Sequence, residues 1–79
     1  LVPAKDLEPE TMEYARRLSK GPPLALRADK QLTYDGLNMD LSAALNAIAN
    51  VQGSLIASED WGESSIAFQE KRQPIFKGK

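Results

Sequence analysis

The clearest repeat of apolar positions in the chain lies between residues 41 and 55, where hydrophobic side chains return every three or four residues. This period places them on one face of an α-helix. The stripe consists of Leu41, Ala44, Leu45, Ile48, Val51, Gln52 and Leu55. Asp40 precedes it and is well suited to cap the helix. The apolar surface is widened by Ala43, Ala47 and Ala49, so we expect this helix to contact neighbours on more than one side.

A first helix is predicted over residues 6–20, where apolar side chains recur at near-helical spacing. Those side chains are Leu7, Met12, Ala15 and Leu18. Acidic residues lie towards its start and basic residues towards its end, which is the arrangement that the helix dipole favours. Gly21 is placed to end this helix. We expect residues 1–5, which contain Pro3, to be extended.

The second helix is predicted to begin at Pro22 and Pro23, because a proline in the first turn loses no helical hydrogen bond. Its apolar stripe is made of residues four apart, Leu24, Ala28 and Leu32, broadened by Ala25 and Leu26. Gly36 and Asn38 are expected to end it.

A fourth helix is predicted to follow Ser58, whose hydroxyl can cap it, with Glu59 and Asp60 in its first turn. One face of this helix is formed by Trp61, Ser65 and Phe68. Its end is marked by Lys71, Arg72 and then Pro74. A proline cannot continue the helix, so we expect an irregular tail after it.

Together these patterns predict an all-α fold, a small orthogonal bundle of about four helices that forms one domain over residues 1–79. At roughly 70–80 residues, burial seldom leaves more than about 3–5 kcal/mol of stability. The chain has no Cys for a disulfide and no His or Cys for a zinc site. Either its helices pack unusually well against one another, or the fold depends on contacts outside the chain. Because it starts with Leu and L-V-P is typical of the end of a strand, we expect a piece of a longer chain.

Charge and composition argue against several classes of function. The formal net charge is −1, so the chain as a whole does not attract nucleic acid. No apolar run approaches the roughly 20 residues that span a bilayer. The five glycines are scattered and form no phosphate-binding loop. We therefore expect no metal, and neither nucleic acid nor a membrane as partner.

Two groups of carboxylates are candidates for acid–base chemistry, which requires burial to raise the pKa of one member. The first group is Asp6, Glu8, Glu10 and Glu13, and the second is Glu59, Asp60 and Glu63. Both lie in or next to the first turn of a predicted helix, where acids stabilise the positive end of the helix dipole. We interpret both groups as solvated charges.

The C-terminal stretch collects positive charge on Lys71, Arg72, Lys77 and Lys79. Phe68 and Lys71 are three residues apart, a spacing that brings side chains together on a helix. An aromatic ring beside an ammonium suits a nucleotide, with the base against the ring and a phosphate near the amine. The pattern alone favours a solvated basic helix end and leaves the nucleotide site as the alternative.

Four segments follow, in order and spacing, the motifs of one enzyme superfamily. V-P-A-K-D-L resembles V-V-P-x-x-x-L, and A-R-R-L-S-K-G-P-P-L-A-L resembles A-x-x-L-A-x-G-P-P-x-A-L. G-L-N-M-D-L-S-A-A-L is similar to G-x-x-x-D-L-x-x-A-L. S-E-D-W-G-E-S-S-I-A-F-Q-E-K-R-Q-P-I-F-K-G resembles S-x-D-x-x-E-G-x-x-A-F-x-E-K-R-x-P-x-F-x-G. The chain thus resembles the C-terminal helical region of the enoyl-CoA hydratase/isomerase (crotonase) superfamily along nearly its whole length.

Two departures from the superfamily pattern accompany this resemblance. Ser64 stands where the motif D-x-x-E-G has glycine, which puts the close approach at that helix turn in doubt. Ile48 and Asn50 stand where the third helix often carries glutamate, which suggests a more apolar contact here.

The resemblance implies a larger N-terminal spiral domain as the first partner of these helices. That domain would hold a CoA thioester, with an oxyanion hole of two backbone N–H groups and any acid–base carboxylates. The helices would pack under the spiral, build a trimer or a dimer of trimers, and close over the active site. No catalytic residue is expected in this chain, and no cofactor is expected to be tightly bound.

Carried over by position, the A-F-x-E-K-R motif implies that Phe68 lies against the adenine of CoA and Lys71 near its phosphates. In many members these residues serve the neighbouring subunit's site. Phe76 and Lys77 are weaker candidates for the same surface. The parent enzyme is expected to be a cytoplasmic enoyl-CoA hydratase that takes a coenzyme A thioester as substrate.

Two alternatives remain open from the sequence. The wide apolar surface of the third helix fits a non-catalytic helical module for self-association or protein interaction. The basic tail fits weak, salt-sensitive binding of nucleic acid, which the balanced charge of the whole chain disfavours.

Overall fold

The computed structural model describes residues 1–79 and contains four α-helices and no strand. They are α1 Leu7–Ser19, α2 Pro23–Gly36, α3 Leu41–Ile56 and α4 Glu59–Gln69. The predicted all-α fold is therefore confirmed. The expectation that residues 1–5 are extended is wrong, because Ala4–Asp6 forms a short 3-10 helix. Its hydrogen bond runs from the N–H of Asp6 to the carbonyl of Pro3 at 2.9 Å, since a proline restricts the residue before it and not those after it.

The helix starts are set by the residues that the sequence pattern indicates. Asp40 accepts a hydrogen bond from the N–H of Ala43 on Oδ1 at 2.7 Å. Ser58 accepts one from the N–H of Trp61 on Oγ at 3.2 Å. Each satisfies an N–H group that the helix itself leaves without a partner. Pro23 is the first residue of α2, as predicted.

The turn between α1 and α2 leaves little space for a side chain at Gly21. A Cβ atom on Gly21 would lie 3.1 Å from the carbonyl oxygen of Leu18 and 3.2 Å from the Cδ1 atom of Leu26. A larger residue here would require Leu26 or the end of α1 to shift by a few tenths of an ångström. After this turn α2 packs along α3, and α3 makes a smaller contact with α4.

The four helices spread into a flat body of 42 × 39 × 17 Å. Its radius of gyration is 15.8 Å, whereas a compact domain of this length has about 12 Å. Only Ala67 and Asp60 are buried, and eighteen large apolar side chains are exposed. The accessible surface is 6779 Å², against about 4,700 Å² for a compact monomer of 8.7 kDa. No helix here combines the length and the apolarity that crossing a bilayer would require.

This exposed apolar area generates a prediction about the chain in isolation. A polypeptide of residues 1–79 should self-associate at micromolar concentration, because association removes apolar surface from water. Sedimentation velocity across a concentration series measures this directly. A compact monomer that unfolds in one sharp thermal transition would contradict the prediction.

Candidate functional site

The end of α4 places the two predicted site residues, Phe68 and Lys71, in different backbone environments. The helix ends at Gln69, and Phe68, in its last turn, is 85% exposed. The N–H of Arg72 donates to the carbonyl of Ala67 at 3.0 Å, and the N–H of Lys71 donates to that of Phe68 at 3.3 Å. These two bonds are those of a Schellman motif, in which the residue after the cap adopts a left-handed conformation.

Lys71 occupies that left-handed position, with φ of 54°. Glycine usually stands there, because a Cβ atom in this conformation costs roughly 1–2 kcal/mol. The helical spacing used to group Phe68 with Lys71 is therefore wrong as a description of their arrangement, since the helix ends before Lys71. Both side chains are exposed, and the Lys71 ammonium has no hydrogen-bond or ion-pair partner in the chain.

The neighbouring cation, Arg72, is held by carboxylates of its own chain. Its Nη1 atom donates to Glu63 Oε1 at 2.5 Å and its Nη2 atom to Glu63 Oε2 at 3.1 Å. Its Nε atom donates to Glu70 Oε2 at 2.6 Å. A fork of parallel hydrogen bonds between guanidinium and carboxylate fixes the orientation of both groups. Of the two adjacent cations, only Lys71 is left to bind an external anion.

Asp60 and Glu63 also bind the backbone of the tail that follows. Glu63 Oε1 accepts from the N–H of Ile75 at 2.9 Å. Asp60 accepts from the N–H of Lys77 on Oδ1 at 2.8 Å and from that of Gly78 on Oδ2 at 2.9 Å. The N–H of Asp60 donates in turn to the carbonyl of Lys79 at 3.0 Å. We call Asp60, Glu63 and Arg72, together with residues 75–79, the tail clasp.

The tail clasp corrects the interpretation of the acidic residues in α4. Asp60 is only 4% exposed and Glu63 is half-buried, so neither is the freely solvated charge that was expected. Glu59 is exposed, in agreement with that interpretation. Of the first group, Glu8, Glu10 and Glu13 are exposed and Asp6 is half-buried. The overlooked feature is the spacing of Asp60 and Glu63, which puts two acceptors one turn apart beside an irregular tail with free N–H groups.

Hydrogen bonds from Arg72 and from the N–H of Ile75 lower the pKa of Glu63 from 4.5 to about 2. The hydrogen bond with Glu63 and, after it, the one with Glu70 raise the pKa of Arg72 above its usual value. Both groups therefore remain charged at any physiological pH.

An apolar groove of about 530 Å³ lies between α2, α3, α4 and the tail. Its walls include Leu24, Ala28 and Leu32 of α2, Val51 and Leu55 of α3, and Trp61 of α4. The half-buried ring of Phe76 completes it, so the tail clasp also positions one wall of this groove. Only part of the predicted apolar stripe of α3 lines this groove. Leu41 and Leu45, which belong to the same stripe, are 76% and 55% exposed.

Ser64, which departs from the superfamily pattern, is accommodated within α4. Its hydroxyl donates to the carbonyl of Trp61 at 2.7 Å, and the residue is half-buried beside the groove. No cluster of three His, Cys, Asp or Glu residues is placed to hold a metal ion. The groove and the tail clasp thus contain groups that bind and position, and no arrangement of a nucleophile with a base.

The sequence matches the family model of enoyl-CoA hydratase/isomerase over residues 1–79. The chain belongs to this family. It corresponds to the helical C-terminal part of the crotonase fold.

Relatives of the chain show the same correspondence. It is 40% identical over 78 residues to the protein named "Probable enoyl-CoA hydratase" of Rhodobacter capsulatus, covering 99% of this chain and 30% of that protein. It is 36% identical over 77 residues to the crotonyl-CoA hydratase of Syntrophomonas wolfei, and the match covers 96% of this chain and 29% of that protein. The crystal structure of an enoyl-CoA hydratase from Bacillus anthracis superposes with a TM-score of 0.91 at 32% identity. The superposition covers 99% of this chain and 30% of that one. The chain therefore spans about 30% of the length of these relatives.

The left-handed backbone at Lys71 predicts a gain of stability on substitution by glycine. Lys71→Gly should stabilise the protein by about 1 kcal/mol relative to Lys71→Ala, because only glycine adopts this conformation without steric cost. Denaturant midpoints of the two variants measure the difference. Equal midpoints would show that the left-handed conformation is not retained.

The lowered pKa of Glu63 predicts a specific dependence of stability on pH. Since this pKa is depressed in the folded state, its contribution is fully present above pH 4.5 and is lost as pH falls towards 2. The difference in thermal midpoint between the unmodified protein and Glu63→Gln should therefore be constant above pH 4.5 and narrow below it. Thermal unfolding at pH 7, 5, 4 and 3 tests this, and a difference that does not change with pH would contradict it.

Proposed function

We propose that residues 1–79 form the assembly region and part of the coenzyme A site of an enoyl-CoA hydratase/isomerase-like enzyme. In this proposal the enzyme acts on acyl-CoA thioesters, and its catalytic groups lie outside these residues, in an N-terminal spiral domain. The observation that carries the proposal is the contrast between four helices, two of them capped by side chains, and a hydrophobic core that consists of Ala67 alone. Helices of 11 to 16 residues are marginal in water unless another surface covers their apolar faces.

The size of the uncovered surface supports an extensive interface. The chain exposes about 2,000 Å² more than a compact monomer of its mass, which is comparable with the area of permanent interfaces. Gly53 and Gly62 lie inside helices, and a Cβ atom added to either would meet no atom of the surrounding structure within 4 Å. Glycine inside a helix is unfavourable, and its presence without any local need fits close approach by another element. We propose that the spiral domain and neighbouring subunits of a trimer or dimer of trimers supply this cover.

The exposed pair Phe68 and Lys71 supports a contact with the nucleotide end of the CoA thioester. An unpacked phenylalanine ring offers a face on which an adenine base can stack. The unpartnered ammonium of Lys71 can bind a phosphate, whereas the adjacent Arg72 is occupied by Glu63 and Glu70. CoA enters as part of the substrate in this proposal, and no resident cofactor is required.

A second candidate function is helical self-association or protein interaction without any role at a CoA site. The exposure of Leu41 and Leu45 favours it, because these apolar side chains lie on α3 and not on the helix that carries Phe68. The two functions differ in one measurable respect. Only the first predicts that substitutions at Phe68 and Lys71 change the affinity for CoA esters.

Substitution of either residue should weaken CoA binding without slowing the reaction. Lys71→Ala in the full-length enzyme should raise KM for an acyl-CoA roughly 10-fold, as expected on removal of a charged hydrogen bond. Phe68→Ala should have an effect of about the same size through lost base stacking. In both variants kcat should stay unchanged, because the contact is the same in the ground state and the transition state.

Steady-state kinetics with two substrates provides the measurement and its control. An acyl-pantetheine carries the same thioester but lacks the nucleotide, so its KM should not change in either variant. Lys5→Ala removes an exposed cation at the far end of the chain and should leave both KM values unchanged. An unaltered KM for the acyl-CoA in Lys71→Ala and Phe68→Ala would remove these residues from the site.

A further inference from the structure

We infer that Glu63 and Arg72 are positioning residues for Lys71, and that their ion pair directs the Lys71 ammonium towards the phosphates of the CoA thioester. This inference rests on the proposed function of Lys71. It assigns a role in substrate affinity to two side chains whose hydrogen bonds are made within the chain.

The first step is that the residues on both sides of Lys71 are fixed. Glu70 and Arg72 are joined by the hydrogen bond from Nε to Oε2 at 2.6 Å, which spans Lys71. The N–H of Arg72 is held by the carbonyl of Ala67 at 3.0 Å. The backbone at Lys71 is thereby confined to a conformation that a lysine does not adopt readily by itself.

The second step is that this small loop is anchored to the body of α4. The guanidinium of Arg72 reaches back to Glu63 and forms two hydrogen bonds with its carboxylate. Glu63 also holds the N–H of Ile75, so one carboxylate fixes the chain on both sides of Pro74. When the pair between Glu63 and Arg72 is lost, the turn that carries Lys71 remains connected to the helix only by backbone hydrogen bonds.

Positioning of Lys71 and electrostatic attraction predict opposite changes in phosphate binding when Glu63 loses its charge. Glu63 is an anion, and replacing it by glutamine removes negative charge near a phosphate-binding lysine. If charge alone mattered, Glu63→Gln would strengthen the binding of the phosphates. If the ion pair positions Lys71, the same change weakens binding, because the guanidinium keeps only Glu70 as a charged partner and the turn loses its anchor to α4.

Kinetics of the full-length enzyme with an acyl-CoA and the corresponding acyl-pantetheine tests the inference. We expect Glu63→Gln and Arg72→Lys each to raise KM for the acyl-CoA about 3- to 10-fold, with kcat and the KM of the acyl-pantetheine unchanged. Arg72→Lys keeps the charge and removes the planar fork, so it reports on geometry alone. Glu13→Gln, which removes the exposed contact of Glu13 with Arg16 at 3.9 Å, is the matched control and should have no effect.

Combination with Lys71→Ala separates this inference from the proposed function. In the Lys71→Ala background, Glu63→Gln should cause no further change in KM for the acyl-CoA, because its effect acts through the ammonium that is absent. A lower KM in Glu63→Gln, or a loss of kcat with both substrates, would overturn the inference and leave Lys71 in the site. If Lys71→Ala itself leaves the KM of the acyl-CoA unchanged, the proposed function fails and the inference fails with it.

Discussion

Two carboxylates of α4 hold the last residues of the chain by their backbone, and the local structure at this end of the molecule depends on that contact. Asp60 and Glu63 together accept three backbone hydrogen bonds from residues 75–78, which would otherwise have no partners in the chain. Because the tail is bound through its backbone, its side chains are free to serve other purposes. Phe76 thereby becomes a wall of the apolar groove, and the cations of the tail remain at the surface.

The rest of the chain is constrained by the small amount of apolar surface that it buries itself. Local interactions determine where the helices start and stop, as the caps at Asp40 and Ser58 show. They do not supply the free energy of a folded domain, which comes mainly from burial. Because helix positions are set locally and stability comes from burial, the chain can superpose closely on part of a larger enzyme although it has no closed core of its own. The helical pattern is determined by these residues, whereas most of their apolar surface is not covered within the chain.

Helix positions could be predicted from the sequence because periodicity and caps are local properties. The tail clasp could not, since its contacts with residues 75–78 are made by backbone N–H groups, which any residue except proline carries. The left-handed turn at Lys71 could not be predicted either, because glycine is the residue that indicates such a turn in a sequence and this position holds lysine. Sequence motifs did indicate Phe68 and Lys71 as members of one site. They gave no indication that Arg72, the next residue, is bound by carboxylates of its own chain.

Lys71 occupies a backbone conformation that is unfavourable for a residue other than glycine. If only the fold mattered, glycine would be preferred at a left-handed helix terminus, because it avoids the steric cost of a Cβ atom. Strained backbone of this kind is found mainly where a side chain is needed in one particular place. Here the strain coincides with an ammonium that has no partner in the chain and with a neighbouring arginine whose hydrogen bonds enforce the turn. This left-handed backbone, and not the lack of a partner alone, distinguishes Lys71 from the other lysines of the chain, and it is the reason to propose an external anion as its partner.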